Sequence, residues 1–164
     1  HFLAPAAFEE QVQVGAFLEH AVYNGERYGT LEHEVRKVTQ GGRHVLLDIE
    51  VAGARMVRER HSDAVLIFVL PPSGKALVER LRSRGTESEA AMAGRLEQAL
   101  EELAAAVEYD YVVVNESIDD AVDAVSRIID VESRRMSRLR NAQVLLDRLR
   151  AEVAAELARG TTQA

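Results

Sequence analysis

Apolar residues along this chain fall into two kinds of pattern, and their order predicts an α/β protein. Residues 45–49, 64–70 and 111–114 are short runs rich in Val, Ile and Leu with little polar alternation, the signature of buried parallel strands. Between them apolar positions recur at helical spacing. Residues 51–60 form one helix, 74–84 and 87–107 make the next connection, and 117–129 close the series. Strand-helix-strand repetition predicts right-handed crossovers and an open sheet with helices on both faces. Upstream, Pro5 opens a short amphipathic helix that Gly15 ends. Two apolar-aromatic runs, 17–23 and 27–30, then flank Asn24-Gly25-Glu26, and Asn-Gly is the strongest short-range hairpin signal because both residues tolerate positive φ. Leu31, Val35 and Val38 space a helix over 31–40 that Gly41-Gly42 stops. The last segment, 132–159, reads as one long helix. Its Leu139, Ala142, Leu146, Leu149, Val153 and Leu157 form a stripe that either packs on the body or pairs with a partner helix.

In open sheets of this kind ligands sit beyond the carboxyl ends of the strands, which selects Asp48, Glu50, residues 71–73 and Asn115. On the hairpin, Glu19, Tyr28 and Thr30 supply a carboxylate acceptor, a phenol and a hydroxyl, the set needed to hold a purine edge and a phosphate. The plain alternative is a surface hairpin with ordinary polar decoration. Asp48 ends its run in the manner of an acid that orients a magnesium-bound water or a nucleobase, whereas Glu50 is also explained by the dipole of the helix after it. Arg80, Arg82, Arg84 and Arg95 bracket a polar, glycine-containing break at 83–88. Guanidinium forks there suit the charge on phosphate oxygens, while Thr86 and Glu89 read simply as a capping box. Ser73-Gly74-Lys75-Ala76 imitates the end of a phosphate-binding loop but fails, since Val69 stands where a glycine is required and Ala76 where Ser or Thr is. The histidines, His1, His20, His33, His44 and His61, show no metal-ligand spacing and read as structural or exposed.

At 164 residues and 47% hydrophobic content the chain fits one domain with a substantial core. Cysteine is absent, so disulfides and thiolate metal sites are excluded. The longest apolar run is about half a membrane span and no signal-peptide pattern opens the chain, so a cytoplasmic protein with no membrane partner is expected. The net charge of -7 is uneven: residues 131–164 hold seven Arg against four acids, leaving 13 basic and 23 acidic residues before them. Such a body repels nucleic acid, and a phosphate ligand must be met by a few local arginines.

The stretches FLEHAVYNGERYGT, VLLDIEVAGA, IFVLPPS, LVERLRSRGTES, the later Arg95-Leu96 and YDYVVVNESI stand in the order and spacing of guanylate kinase, over about residues 1–129. The resemblance implies a P-loop NTPase-like (nucleoside monophosphate kinase) parallel sheet with helices on both faces, a small GMP-binding β-subdomain and a lid. It implies transfer of the γ-phosphoryl of ATP to GMP with Mg2+, and GMP and ATP as partners. By position, Glu19 resembles the guanine-reading carboxylate, and Tyr28, Gly29 and Thr30 the YGT motif near the GMP phosphate and base. Asp48 resembles the acid that supports magnesium, indirectly through water, and GMP; Glu50 stands where the family usually has an Asp that reads guanine. Ala52 stands where the family often has Gln, before Gly53. Arg84 and Arg95 resemble the lid arginines on the transferring phosphoryl, Arg84 also meeting ATP, and Asn115 lies where the adenine pocket is lined. The resemblance divides the chain into 1–30, part of the GMP-binding subdomain, 31–130, the kinase core with a lid at about 82–95, and 131–164, a C-terminal helical extension open to self-association. The family's N-terminal strand and P-loop precede the position of His1, so a fragment is expected, inactive alone and exposing strand edges. The alternative is a non-catalytic guanylate-kinase-like scaffold module that binds peptides; Glu19, Arg84 and Arg95 favour the enzyme.

Overall fold

The computed structural model describes residues 2–23, 25–83, 89–139 and 141–161 and is mixed α/β. Pro5 sits in the first turn of α1 (Pro5–Gln13), where its missing N–H leaves no bond unmade. Gly15, at φ 68°, ends that helix: its N–H donates to the Val12 carbonyl and the Ala16 N–H to Gln11, satisfying carbonyls left open at the helix end. β1 (Phe17–Tyr23) and β2 (Glu26–Leu31) pair antiparallel, with Gly25 between them at φ 81°, the left-handed turn the Asn-Gly pair anticipates. α2 (Glu32–Gln40) follows and stops at Gly41 and Gly42. α3 (Val51–Arg60) packs on β1, and Phe17, Leu18, Ala54 and Val57 are buried. The Phe8 ring of α1 adds a contact with centroids 4.6 Å from Phe17.

β3 (Ile67–Leu70) and β4 (Tyr111–Val114) form a second pair. The Tyr111 N–H donates to Leu66 and the Asn115 N–H to Leu70, so both strands advance together and the pair is parallel. The connection between them is α4 (Gly74–Ser83), α5 (Glu89–Ala104), which packs on α4, and a 3-10 turn (Ala105–Glu108). Ser73 caps α4, its Oγ accepting from the Ala76 N–H at 3.1 Å, so the false phosphate loop has a structural reason. After β4 come α6 (Ile118–Ser133), capped by Ser117, a 3-10 turn (Met136–Arg138) and α7 (Ala142–Thr161). The chain divides into two compact units, His1–Val69 with Ser73–Val112, and Leu70–Pro72 with Val113–Ala164. No helix among the described residues is long and apolar enough to cross a membrane.

Three expectations need correction. Residues 45–49 form no strand. Val45, Leu47 and Ile49 are half-buried while Leu46, Asp48 and Glu50 are exposed, Leu46 at 74%. An apolar run signals a preference for burial, but a strand also needs a neighbour's N–H and C=O row, and none of the described residues supplies one. The parallel sheet therefore has two described strands in place of three, and 64–70 contributes only its last four residues. Nor are these strands fully buried, since Val69, Val112 and Val114 are about half exposed.

The third correction concerns the last segment, which is not one helix. Glu132, buried at 5% exposure, accepts a bond from Arg135 at 2.7 Å and lies 3.2 Å from the Arg138 guanidinium. That clasp turns the chain between α6 and α7. Leu139, Leu146, Leu149, Val153 and Leu157 are exposed, so the apolar stripe is not the buried face of a packed terminal helix.

Candidate functional site

The hairpin register places the first group. Glu19 lies opposite Thr30, and Ala21 opposite Tyr28. Directly opposed residues share a face of an antiparallel pair, as do alternate residues of one strand, so Glu19, Tyr28 and Thr30 share one face. Gly29 is required for close approach and not for its backbone angle. A Cβ there would come 2.8 Å from the Glu19 carbonyl oxygen and 2.8 Å from the Phe17 ring. Tyr28 is exposed at 57%, while Glu19 is only 5% exposed. Its carboxylate is engaged by no hydrogen bond or ion pair among the described residues. The carboxylate instead borders the start of α3: Oε2 lies 3.1 Å from the point a Cβ on Gly53 would occupy, and the Ile49 Cβ lies 3.4 Å from that same point. The open N–H groups of this first helical turn give it positive character, a favourable setting for an anion.

Asp48 and Glu50 are exposed and flank in sequence Ile49, whose side chain lies near the position a Gly53 Cβ would take. Glu50 is the N-cap residue of α3 and makes no side-chain cap bond, so the dipole of α3 remains a plain reason for an acid there. Arg80 and Arg82 lie on α4, and Arg95 on α5 donates to the Leu81 carbonyl at 3.5 Å, fastening the two helices together. Arg84 and Thr86 lie outside the described residues. Asn115 belongs to the second unit, where its N–H donates to Leu70.

Several residues that order this unit carry no motif. Arg55 grips Glu108 with two bonds, at 2.7 and 2.5 Å, and Arg58 donates to Asp110 at 2.6 Å. Asp110 also accepts from the Leu66 N–H at 2.8 Å, so one carboxylate joins α3 to the starts of β3 and β4. The Arg55 bond holds the Glu108 carboxyl below its usual range. Burial, then the neighbouring Glu108 charge, pushes the Tyr109 phenol up. Arg55, Arg58, Glu108 and Tyr109 line a hollow of about 190 Å³ with Ala54, Glu59 and Leu66, and its arginines are already committed to acids. At the far end of α3, His61 and Arg36 both meet Glu32 Oε1 at 3.0 Å. The Arg36 bond, helped by His61 and opposed by burial, lowers the Glu32 carboxyl. Among the overlooked residues that are described, Gly53 borders the Glu19 carboxylate, Oε2 lying 3.1 Å from where its Cβ would stand, and its sequence signal is a glycine in the first turn of a helix.

A family model described as guanylate kinase matches residues 1–132. The guanylate kinase of Symbiobacterium thermophilum is 43% identical over 149 residues, covering 91% of this chain and 70% of that protein. That of Chromohalobacter salexigens is 40% identical over 139 residues, covering 85% of this chain and 65% of that protein. The crystal structure of guanylate kinase from Anaplasma phagocytophilum superposes with a TM-score of 0.72 at 30% identity, over 90% of this chain and 72% of that one. The chain thus spans 65% to 72% of the length of these relatives. With the family match covering the hairpin, α3, both parallel strands and most of α6, the chain belongs to the guanylate kinase family.

Proposed function

We propose that this protein serves transfer of the γ-phosphoryl of ATP to GMP, and that Glu19 reads the guanine. The observation that carries the reading is Glu19, 5% exposed and with no hydrogen bond or ion pair to its carboxylate among the described residues, set on a hairpin face beside Thr30 and against the start of α3. Guanine offers two adjacent donors, N1–H and the 2-amino group, and a carboxylate accepts both at once. Thr30 and Tyr28, on the same face, meet the remaining polar edge of the nucleotide; Gly29 lets the strands approach closely enough to form that face. Glu50 and Asp48, exposed at the mouth of the segment, serve base reading and the metal respectively. Arg95 and Arg84 neutralise the transferring phosphoryl, and Asn115 meets the adenine of ATP.

No group of three or more His, Asp or Glu side chains among the described residues makes a metal cage. The lone exposed Asp48 fits a magnesium ion held chiefly by phosphate oxygens and water, with Asp48 acting through one of those waters. Bound there with ATP, magnesium neutralises phosphate charge. On this assignment residues 1–30 belong to the GMP-binding part, 31–130 to the kinase core with its lid at about 82–95, and 131–164 to an extension. The exposed stripe of α7 supports self-association, and the cytoplasm, where both nucleotides are found, is the place of action. A coupled kinase assay over GMP, AMP and UMP, run on the chain joined to the P-loop segment that the family places before it, tests the assignment. GMP is expected to be the only efficient acceptor, and ADP formation with AMP or UMP but not GMP contradicts it.

A further inference from the structure

We infer that Gly53 is a positioning residue for guanine recognition, because its missing side chain is the space into which the Glu19 carboxylate fits. The inference rests on the guanine-reading role of Glu19 and adds a residue to it. Gly53 occupies the first turn of α3 with no left-handed φ, so its backbone does not call for glycine. Alanine would be the better helix former there. Space supplies the reason for glycine. A Cβ at this position would stand 3.1 Å from Glu19 Oε2, 3.4 Å from Ile49 Cβ and 3.6 Å from Ile49 Cδ1. Gly53 is buried, and α3 packs on β1, the strand that carries Glu19. The added methyl is therefore hemmed in by Ile49, and the carboxylate must shift by a few tenths of an ångström.

A shift of that size acts unequally on related bases. Two parallel N–H···O bonds demand that both carboxylate oxygens stay in register with two donors, whereas a single bond follows a small displacement. Guanine presents two donors to the carboxylate. Hypoxanthine, which lacks the 2-amino group, presents one. Gly53→Ala should thus erode the preference for GMP over inosine monophosphate more than it weakens nucleotide binding in general.

Calorimetric titration of the protein with GMP and with inosine monophosphate, for wild type, Gly53→Ala, Glu19→Gln and the double variant, tests this. Gly74→Ala, whose Cβ meets nothing within 4 Å, is the control. Wild type should prefer GMP. Gly53→Ala should lower GMP affinity about tenfold and that for inosine monophosphate about twofold, the size expected for losing one charge-assisted bond. In the Glu19→Gln background the same substitution should leave the ratio of the two affinities unchanged, since its effect passes through that carboxylate. Retention of the wild-type ratio by Gly53→Ala, or an equal loss of ratio with and without Glu19, overturns the inference. A wild-type protein with no preference for GMP instead removes the guanine-reading role of Glu19, and the role of Gly53 with it.

Discussion

Glu19, beside the start of α3, and Glu32, bonded to His61 at its end, show what a partner does for a carboxylate. Glu32 is held by Arg36 and His61, and its proton affinity is lowered, chiefly by the Arg36 bond. A carboxyl whose folded-state pKa is depressed stabilises the fold at pH above its unfolded value and loses that contribution as pH falls through the folded one. Glu32→Gln should therefore lower Tm at pH 7, by an amount corresponding to about 1 kcal/mol for two largely surface contacts. The gap between variant and wild type should close as pH drops below 4.5, the ordinary value for this group. Thermal melts across that range check it; a gap that widens on acidification contradicts it. Glu19 is buried, and no hydrogen bond or ion pair engages its carboxylate among the described residues. Replacing it by a neutral group of the same shape removes a charge from a site that does not pair it. Glu19→Gln should leave Tm at the wild-type value or raise it by about 2–4 °C, so any loss of nucleotide binding in this variant is not a loss of fold.

Elements were legible in the sequence wherever local chemistry decides them. The Asn-Gly turn gave the hairpin, and with it the register that sets Glu19 against Thr30. Pro5 and Gly15 bounded α1, Ser117 caps α6, and Glu19, Asp48, Glu50 and Arg95 were marked by residue type and position. What escaped depends on partners distant in the chain. The run at 45–49 advertises burial without naming a strand to pair with, and the turn after α6 depends on a Glu132 clasp that periodicity does not register. Gly53 escaped for the same reason, since its neighbour Glu19 is 34 positions away in the chain. The joint at Asp110 is another such long-range feature. Its carboxylate serves both the Arg58 guanidinium and the Leu66 N–H, so Asp110→Ala orphans a backbone donor and a cation together. We expect this variant to lose about 2 kcal/mol of stability by denaturant titration. A loss within 0.5 kcal/mol would show that the joint is dispensable, on the scale of an ordinary surface substitution of about ±0.5 kcal/mol.

Over the whole molecule, charge and exposed apolar surface set the remaining expectations. With 27 acidic and 20 basic residues the protein carries a net -7, so its overall field does not draw in anionic nucleotides, and the proposed reading leaves that to a few arginines such as Arg95. The exposed stripe of α7, including Leu149 and Val153, should associate copies of the protein at high concentration. Light scattering is expected to show a mass that rises with concentration for wild type and stays at one chain for Leu149→Glu with Val153→Glu; one-chain mass for both contradicts it. Guanine recognition as proposed turns on the buried carboxylate of the hairpin. Calorimetric titration of GMP into wild type and Glu19→Gln tests that claim most directly. Loss of one charge-assisted bond, with the second weakened, predicts about a 10–100-fold fall in GMP affinity for the variant at unchanged fold. Equal GMP affinity in the two proteins would contradict it.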